Sequence, residues 1–244
     1  MSSPALERPE SAPSRKLVLF DIDGTILWTD GAGRRAVFGA LVEHFGVVDP
    51  GDHRFDGKTD PQIVRELLTK AGVSDEDIDA RLDRILESYY ALLREELDGA
   101  DHREHVFPGV HELLDELERR DDVVLGLLTG NIEAGARAKL AAVGIAPHRF
   151  IVGAFCSDHH HRPELPEIAR RRAERVLGHP INGRDVVVIG DTPADVACGV
   201  GIGARAIGVA TGRYSVDELR ACDAAAVFPD LTDTDAVVRA ILGD

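Results

Sequence analysis

The chain has 244 residues, with 28 Lys and Arg against 43 Asp and Glu for a formal net charge of −15, and 44% of its residues are apolar. This excludes collagen, coiled coil and wholesale disorder, and describes a globular protein with chain enough for a substantial core in one large or two unequal domains. So negative a chain repels a nucleic-acid backbone, so nucleic acid is not an expected partner and any anionic ligand must be held by locally gathered cations.

Met1 to Arg15 holds three prolines and four serines but no apolar leader segment, and 1–15 reads as a disordered tail. No run approaches the ~20 apolar residues that cross a bilayer, so no membrane partner is expected. Cys156, Cys198 and Cys222 are odd in number and widely spaced, which suggests neither a disulfide framework nor structural zinc, and a reducing cytoplasm is the expected location.

Lys16-Leu-Val-Leu-Phe20 reads as a fully buried strand, and the runs 123–128, 150–155, 185–189, 204–209 and 225–228 have the same character. Helical patterns at about 109–120, 133–143, 164–177, 193–200, 215–221 and 233–242 alternate with them. Such alternation predicts an α/β fold, a parallel sheet covered on both faces. Residues 28–105 break the rhythm with helix candidates at 31–45, 60–71 and 75–97 and no convincing strand. Residues 30–104 hold 18 Asp and Glu against 10 Lys and Arg. We therefore expect a Rossmann-like core of 16–27 and 106–244 with an α-helical subdomain, 28–105, inserted after the first strand.

Two acidic clusters directly follow apolar strands: Asp21-Ile22-Asp23-Gly24-Thr25 and Gly190-Asp191-Thr192-Pro193-Ala194-Asp195. Ligands of open parallel sheets bind at the carboxyl ends of strands, so both clusters stand where chemistry is expected. An Asp-Gly pair alone makes a turn, and Asp-Thr-Pro-Ala-Asp alone makes a helix start, but the two strings reinforce each other. Carboxylates crowded into one site need a cation, and an all-oxygen donor set favours Mg²⁺.

With these strings the chain resembles the haloacid dehalogenase superfamily, specifically its phosphatases with a helical cap and, among them, the phosphoglycolate phosphatase-like branch. The resemblance covers 16 to about 230. It implies a core with the strand order 5-4-1-2-3, Asp21 as nucleophile, Asp23 as general acid and base, Thr129 as a phosphate ligand, and Asp191 with Asp195 as the acidic fourth motif. The expected cation ligands are Asp21, Asp23 and Asp191, supported by Asp195. The residue types suit an aspartyl-phosphate mechanism on a small phosphorylated metabolite, phosphoglycolate being a candidate. A metal-independent dehalogenase, a non-catalytic binding protein and a phosphotransferase are the alternatives.

Gly24 lets the backbone approach a phosphoryl group, Thr25 orients Asp23 or its loop, and Thr129-Gly130-Asn131 ends the second strand where a hydroxyl and N–H groups can hold phosphoryl oxygens. The alternative for the last is an ordinary helix cap. Where the family usually places Lys, often followed by Pro, this chain reads His159-His-His-Arg-Pro-Glu164, so Arg162 takes the place, with Lys139 as the other base that could serve. The adjacent histidines point in different directions and do not suggest a metal site. In the helical insert Arg34, Arg35, Lys58 and Thr59 resemble segments that face the substrate in capped phosphatases, with a surface helix face and a helix cap as their ordinary roles.

Overall fold

The computed structural model describes residues 15–46, 51–99 and 104–243, so the tail expected over 1–15 lies outside them except for Arg15. In chain order the elements are β1 (Lys16–Phe20), β2 (Leu27–Trp28), α1 (Ala32–Phe45), α2 (Asp60–Lys70), α3 (Asp75–Leu97), β3 (His105–Val106), α4 (Val110–Glu118), β4 (Val123–Leu128), α5 (Glu133–Ala142), β5 (Val152–Ala154), α6 (Leu165–Leu177), β6 (Val186–Gly190), α7 (Pro193–Cys198), β7 (Arg205–Val209), α8 (Val216–Arg220), β8 (Ala226–Phe228) and α9 (Thr234–Leu242).

Six strands form one parallel sheet in the order β5-β4-β1-β6-β7-β8, an α/β Rossmann-like core. Alternation along β1 divides its residues between the two faces. Val18 and Phe20 join the apolar cluster with Leu113 and Leu117 of α4, Leu140 of α5 and Val237 of α9. Leu17 and Leu19 join the opposite cluster with Leu165, Ala169 and Ala173 of α6. A run buried on both faces has no polar phase, which is why these strands read as continuous apolar segments.

The helices α1, α2 and α3 pack on one another through a separate cluster that includes Val37, Leu41, Val64, Leu67, Ile85 and Tyr89. Leu27 and Trp28 pair antiparallel with Val106 and His105, a two-residue ribbon at the two ends of 28–105 that the sequence does not predict. Two residues are too few to show a period. The third core strand is also shorter than expected. The chain ahead of it turns through a 3₁₀ segment at Pro147–Arg149, and the Phe155 N–H is taken by the Asp158 carboxylate at 3.0 Å instead of by a neighbouring strand.

Because β1 lies between β4 and β6, with Phe20 in register with Leu127 and Ile189, the residues that follow these strands emerge side by side at the carboxyl edge of the sheet. No helix among the described residues is long and apolar enough to cross a membrane.

Candidate active site

Asp21 continues β1 by one residue, its N–H donating to Ile189 O at 2.9 Å, and its carboxyl is buried beside those of Asp191 and Asp195. Oxygens of the three lie within 4.8 Å of one another, a hard-donor set able to hold a metal ion. The loops are cut to fit this crowding. Gly24 has φ +89°, and a Cβ on it would stand 2.4 Å from Asp191 Oδ2, while one on Gly212 would stand 1.8 Å from the same atom.

Asp195 serves two purposes with its two oxygens. Oδ2 accepts from the Thr192 N–H at 3.0 Å and the Thr192 hydroxyl at 2.6 Å, while the Asp195 N–H donates back to Thr192 Oγ1, a capping box that starts α7. Oδ1 accepts from Arg162 Nη2, which also donates to Asp21 Oδ1 at 2.9 Å. The segment thus starts a helix and also places Asp195 beside Asp21 and Asp191. Arg162 itself stands in the 3₁₀ turn ahead of α6, buried, and its buried Nε has no hydrogen-bond partner among the described residues.

Burial raises the Asp21 pKa well above the ordinary carboxylate range, against the pull of Arg162, and the charges of Asp195 and Asp23 push it further. Asp191 is raised more strongly by burial and by Asp195 and Asp21, with hydrogen bonds from Thr25 and from its own backbone N–H partly relieving it. One guanidinium does not neutralise three carboxylates, so the protein side of the site is short of positive charge.

Asp23 was expected among the cation ligands, but its carboxylate stands outside that group. It accepts from Lys139 Nζ at 2.8 and 2.7 Å and from Asn131 Nδ2 at 2.7 Å, and an ammonium and an amide have turned it to another wall. Thr25 is another departure. It is fully buried, its hydroxyl donates to Asp191 Oδ1 at 3.1 Å, and it does not border the cavity. Thr129, Gly130 and Asn131 do border it, and Thr129 Oγ1 accepts from Asn131 Nδ2 at 2.7 Å.

The cavity of about 590 Å³ runs from Asp21, Asp23, Arg162 and Asp191 to the face of α1–α3. Of the insert residues expected to meet a ligand, Arg34 and Lys58 border it, but both are engaged. Arg34 Nη1 donates to His53 O at 2.8 Å with its guanidinium over Phe55 at 4.8 Å, and Lys58 Nζ pairs with Glu66 at 2.5 Å. Arg35 turns outward to Glu96. Thr59 does not reach the cavity. It caps α2 by accepting from the Gln62 N–H, and its hydroxyl donates to His160 O at 2.8 Å.

Two buried groups stand out that sequence reasoning did not assign. The sequence offers Lys139 only as a stand-in for Arg162. The signal that it faces inward is its place on the apolar stripe of α5, beside Ala136 and Leu140. Asp60, in the first turn of α2, accepts from the Ile132 N–H at 2.8 Å while its own N–H donates to Gly130 O at 2.8 Å, and burial raises its pKa to about 6 despite Lys139.

A family model for haloacid dehalogenase-like hydrolases matches residues 15–203. Over 231 residues the chain is 27% identical to the probable phosphatase IndB of Dickeya dadantii strain 3937, covering 93% of this chain and 95% of that one. Among solved structures, a hydrolase from Pseudomonas syringae superposes with a TM-score of 0.69 at 22% identity, over 92% of this chain and 98% of the other. A predicted phosphoglycolate phosphatase from Haemophilus somnus 129PT superposes with a TM-score of 0.68 at 16% identity, with the same coverage. With its acidic strand ends inside the matched span, the chain belongs to the haloacid dehalogenase-like hydrolase family.

Proposed function

We propose that this chain is a Mg²⁺-dependent phosphomonoester hydrolase that works through an aspartyl-phosphate on Asp21. The observation that carries the reading is the cluster of Asp21, Asp191 and Asp195, buried together with Arg162, which pairs with Asp21 and Asp195. A hard divalent ion suits that donor set, and when bound it would offset the repulsion between these carboxylates and an anionic substrate.

Asp21 attacks phosphorus as the bond to the leaving oxygen breaks, and Asp23 supplies the proton that oxygen takes. Water then attacks the same phosphorus, its proton passes to Asp23, and the Asp21 carboxylate is regenerated with release of inorganic phosphate. Thr129 accepts from Asn131, which leaves its own hydroxyl hydrogen for a phosphoryl oxygen. Arg162 borders the same cavity, and its guanidinium charge favours the same anionic group. In this reading 16–27 and 106–244 form the catalytic core, and 28–105 is a cap that excludes water and meets the leaving group. A metal-independent dehalogenase would leave the carboxylate cluster without a task.

The test is phosphate release from a panel of small phosphomonoesters, phosphoglycolate among them, with Mg²⁺ or excess chelator and with an Asp21→Asn control. Release that needs both Mg²⁺ and Asp21 is expected, and release that survives chelation or the substitution would refute the mechanism.

A further inference from the structure

Part of the cavity lining is aromatic. Trp28, the single tryptophan of the chain, is 44% exposed although it borders the cavity. It stands opposite His105 in the β2–β3 ribbon, and His105 packs edge-on against Phe107 with ring centroids 5.5 Å apart. Phe55 and Tyr89 border the same space. A large exposed indole inside a concave site is a surface that a ligand can cover.

Most of the cations that border the cavity are already engaged. Lys58 pairs with Glu66, Arg213 with Asp56 at 3.4 Å, and Lys139 with Asp23, and Arg34 is spent on a backbone carbonyl and two phenyl faces. Arg54 remains, exposed at the rim. A carboxylate or second phosphate on the substrate would have to displace one of these pairs or order the exposed Arg54 side chain, whereas a ring displaces only water.

We propose that the substrate's leaving group carries a planar, uncharged ring seated against Trp28 and the His105–Phe107 pair, with the transferred phosphoryl group as its one strong anion. This rests on the phosphatase reading and narrows it, away from phosphoglycolate and bisphosphates. The volume suits it, since cavities of roughly 300–1,000 Å³ hold ring-sized ligands and a two-carbon acid fills little of one.

Benzyl and ethyl phosphate share an alkyl leaving oxygen, so their comparison isolates the ring from leaving-group reactivity. In the full chain with Mg²⁺, benzyl phosphate is expected to exceed ethyl phosphate, phosphoglycolate and a sugar bisphosphate in kcat/KM by ~10-fold or more. Trp28→Ala should raise KM for benzyl phosphate by about 10-fold with kcat nearly unchanged, and leave ethyl phosphate as it was. Phosphoglycolate or the bisphosphate ahead of benzyl phosphate, or a benzyl KM indifferent to Trp28→Ala, would overturn the proposal. A readout independent of turnover is the fluorescence of Trp28, the only indole present. Benzylphosphonate should change it saturably at concentrations about 10-fold below those at which ethylphosphonate acts. That response without phosphate release from any ester would leave the ring site standing and remove the phosphatase reading, and no response would remove the ring site.

Discussion

Lys139 and Asp23, 116 residues apart in the chain, meet through two contacts of 2.8 and 2.7 Å, and the same ammonium donates to Asn131 Oδ1 at 2.7 Å. Lys139 is buried, while the Asp23 side chain keeps 37% of its surface open to the cavity. One carboxylate of the first motif is thus fixed by a side chain from α5 and the other by Arg162, and neither can drift into the other's place.

If Lys139 sets the position of the proton donor, its loss should affect chemistry more than binding. Lys139→Met is expected to lower kcat on alkyl phosphates by roughly 10- to 100-fold with KM within ~3-fold. The nitrophenyl ester, whose leaving oxygen needs little protonation, should lose much less. In an Asp23→Asn background the same substitution should add almost nothing, because the two residues act as one unit. Equal losses on both ester classes, additive with Asp23→Asn, would mean that Lys139 serves the fold alone.

The acidic cluster makes cation binding and pH interdependent. Asp21 and Asp191 have raised pKa values, caused first by burial and then by neighbouring charge. For an acid raised in the folded state, ionisation costs stability. The cost is absent below the unfolded value near 3.8 and grows as pH climbs toward the folded one. A divalent ion offsets that cost and displaces the protons. Mg²⁺ should therefore raise Tm more at pH 8 than at pH 6, and calorimetry in buffers of different ionisation enthalpy should show proton release. A Tm indifferent to Mg²⁺ at both values would disqualify the cluster as a cation site.

Much of this was legible because buried parallel strands have no polar phase. Lys16–Phe20 and Val186–Gly190 stand out as uninterrupted apolar runs, and the Asp-rich strings begin where those runs stop. The helices of 28–105 were equally plain, as with Pro61 in the first turn of α2. The side-chain directions were not. Whether Thr25 faces a ligand or Asp191, and whether Thr59 meets the cavity or His160, depends on partners more than a hundred residues away. Local pattern carries no record of such contacts. The Asp23 carboxylate was misassigned for the same reason, its partner Lys139 looking like an ordinary helix lysine until the sheet brings α5 over the first loop.

Arg162 bridges Asp21 and Asp195 with one nitrogen, so its replacement leaves two buried carboxylates without their counter-charge. Arg162→Met should cost about 3–5 kcal/mol of unfolding free energy, the usual penalty for breaking a buried pair from one side. Arg162→Lys keeps the charge but not the fork, and should fold while losing roughly 10- to 100-fold in kcat. Denaturant midpoints and steady-state rates on the two variants separate these effects. Full activity in Arg162→Lys would show that a point charge suffices.

Asp60 offers a cleaner stability test, since it is not one of the clustered carboxylates. Burial lifts its pKa from 3.8 to about 6, with Lys139 only partly offsetting the rise. The ionised form is therefore disfavoured in the folded protein. The penalty is nil near pH 4, accumulates between about 4 and 6, and is complete above that. Asp60→Asn removes the charge yet keeps an oxygen that can accept from the Ile132 N–H, now 2.8 Å from Oδ2. The variant should be the more stable protein at pH 8, by on the order of 2–3 kcal/mol at most, and the two should converge as pH falls to 4. Chemical denaturation at pH 4.5, 6 and 8 reads this directly. A wild type that gains on the variant as pH rises would mean that attraction between Asp60 and Lys139 outweighs the cost of burying the charge.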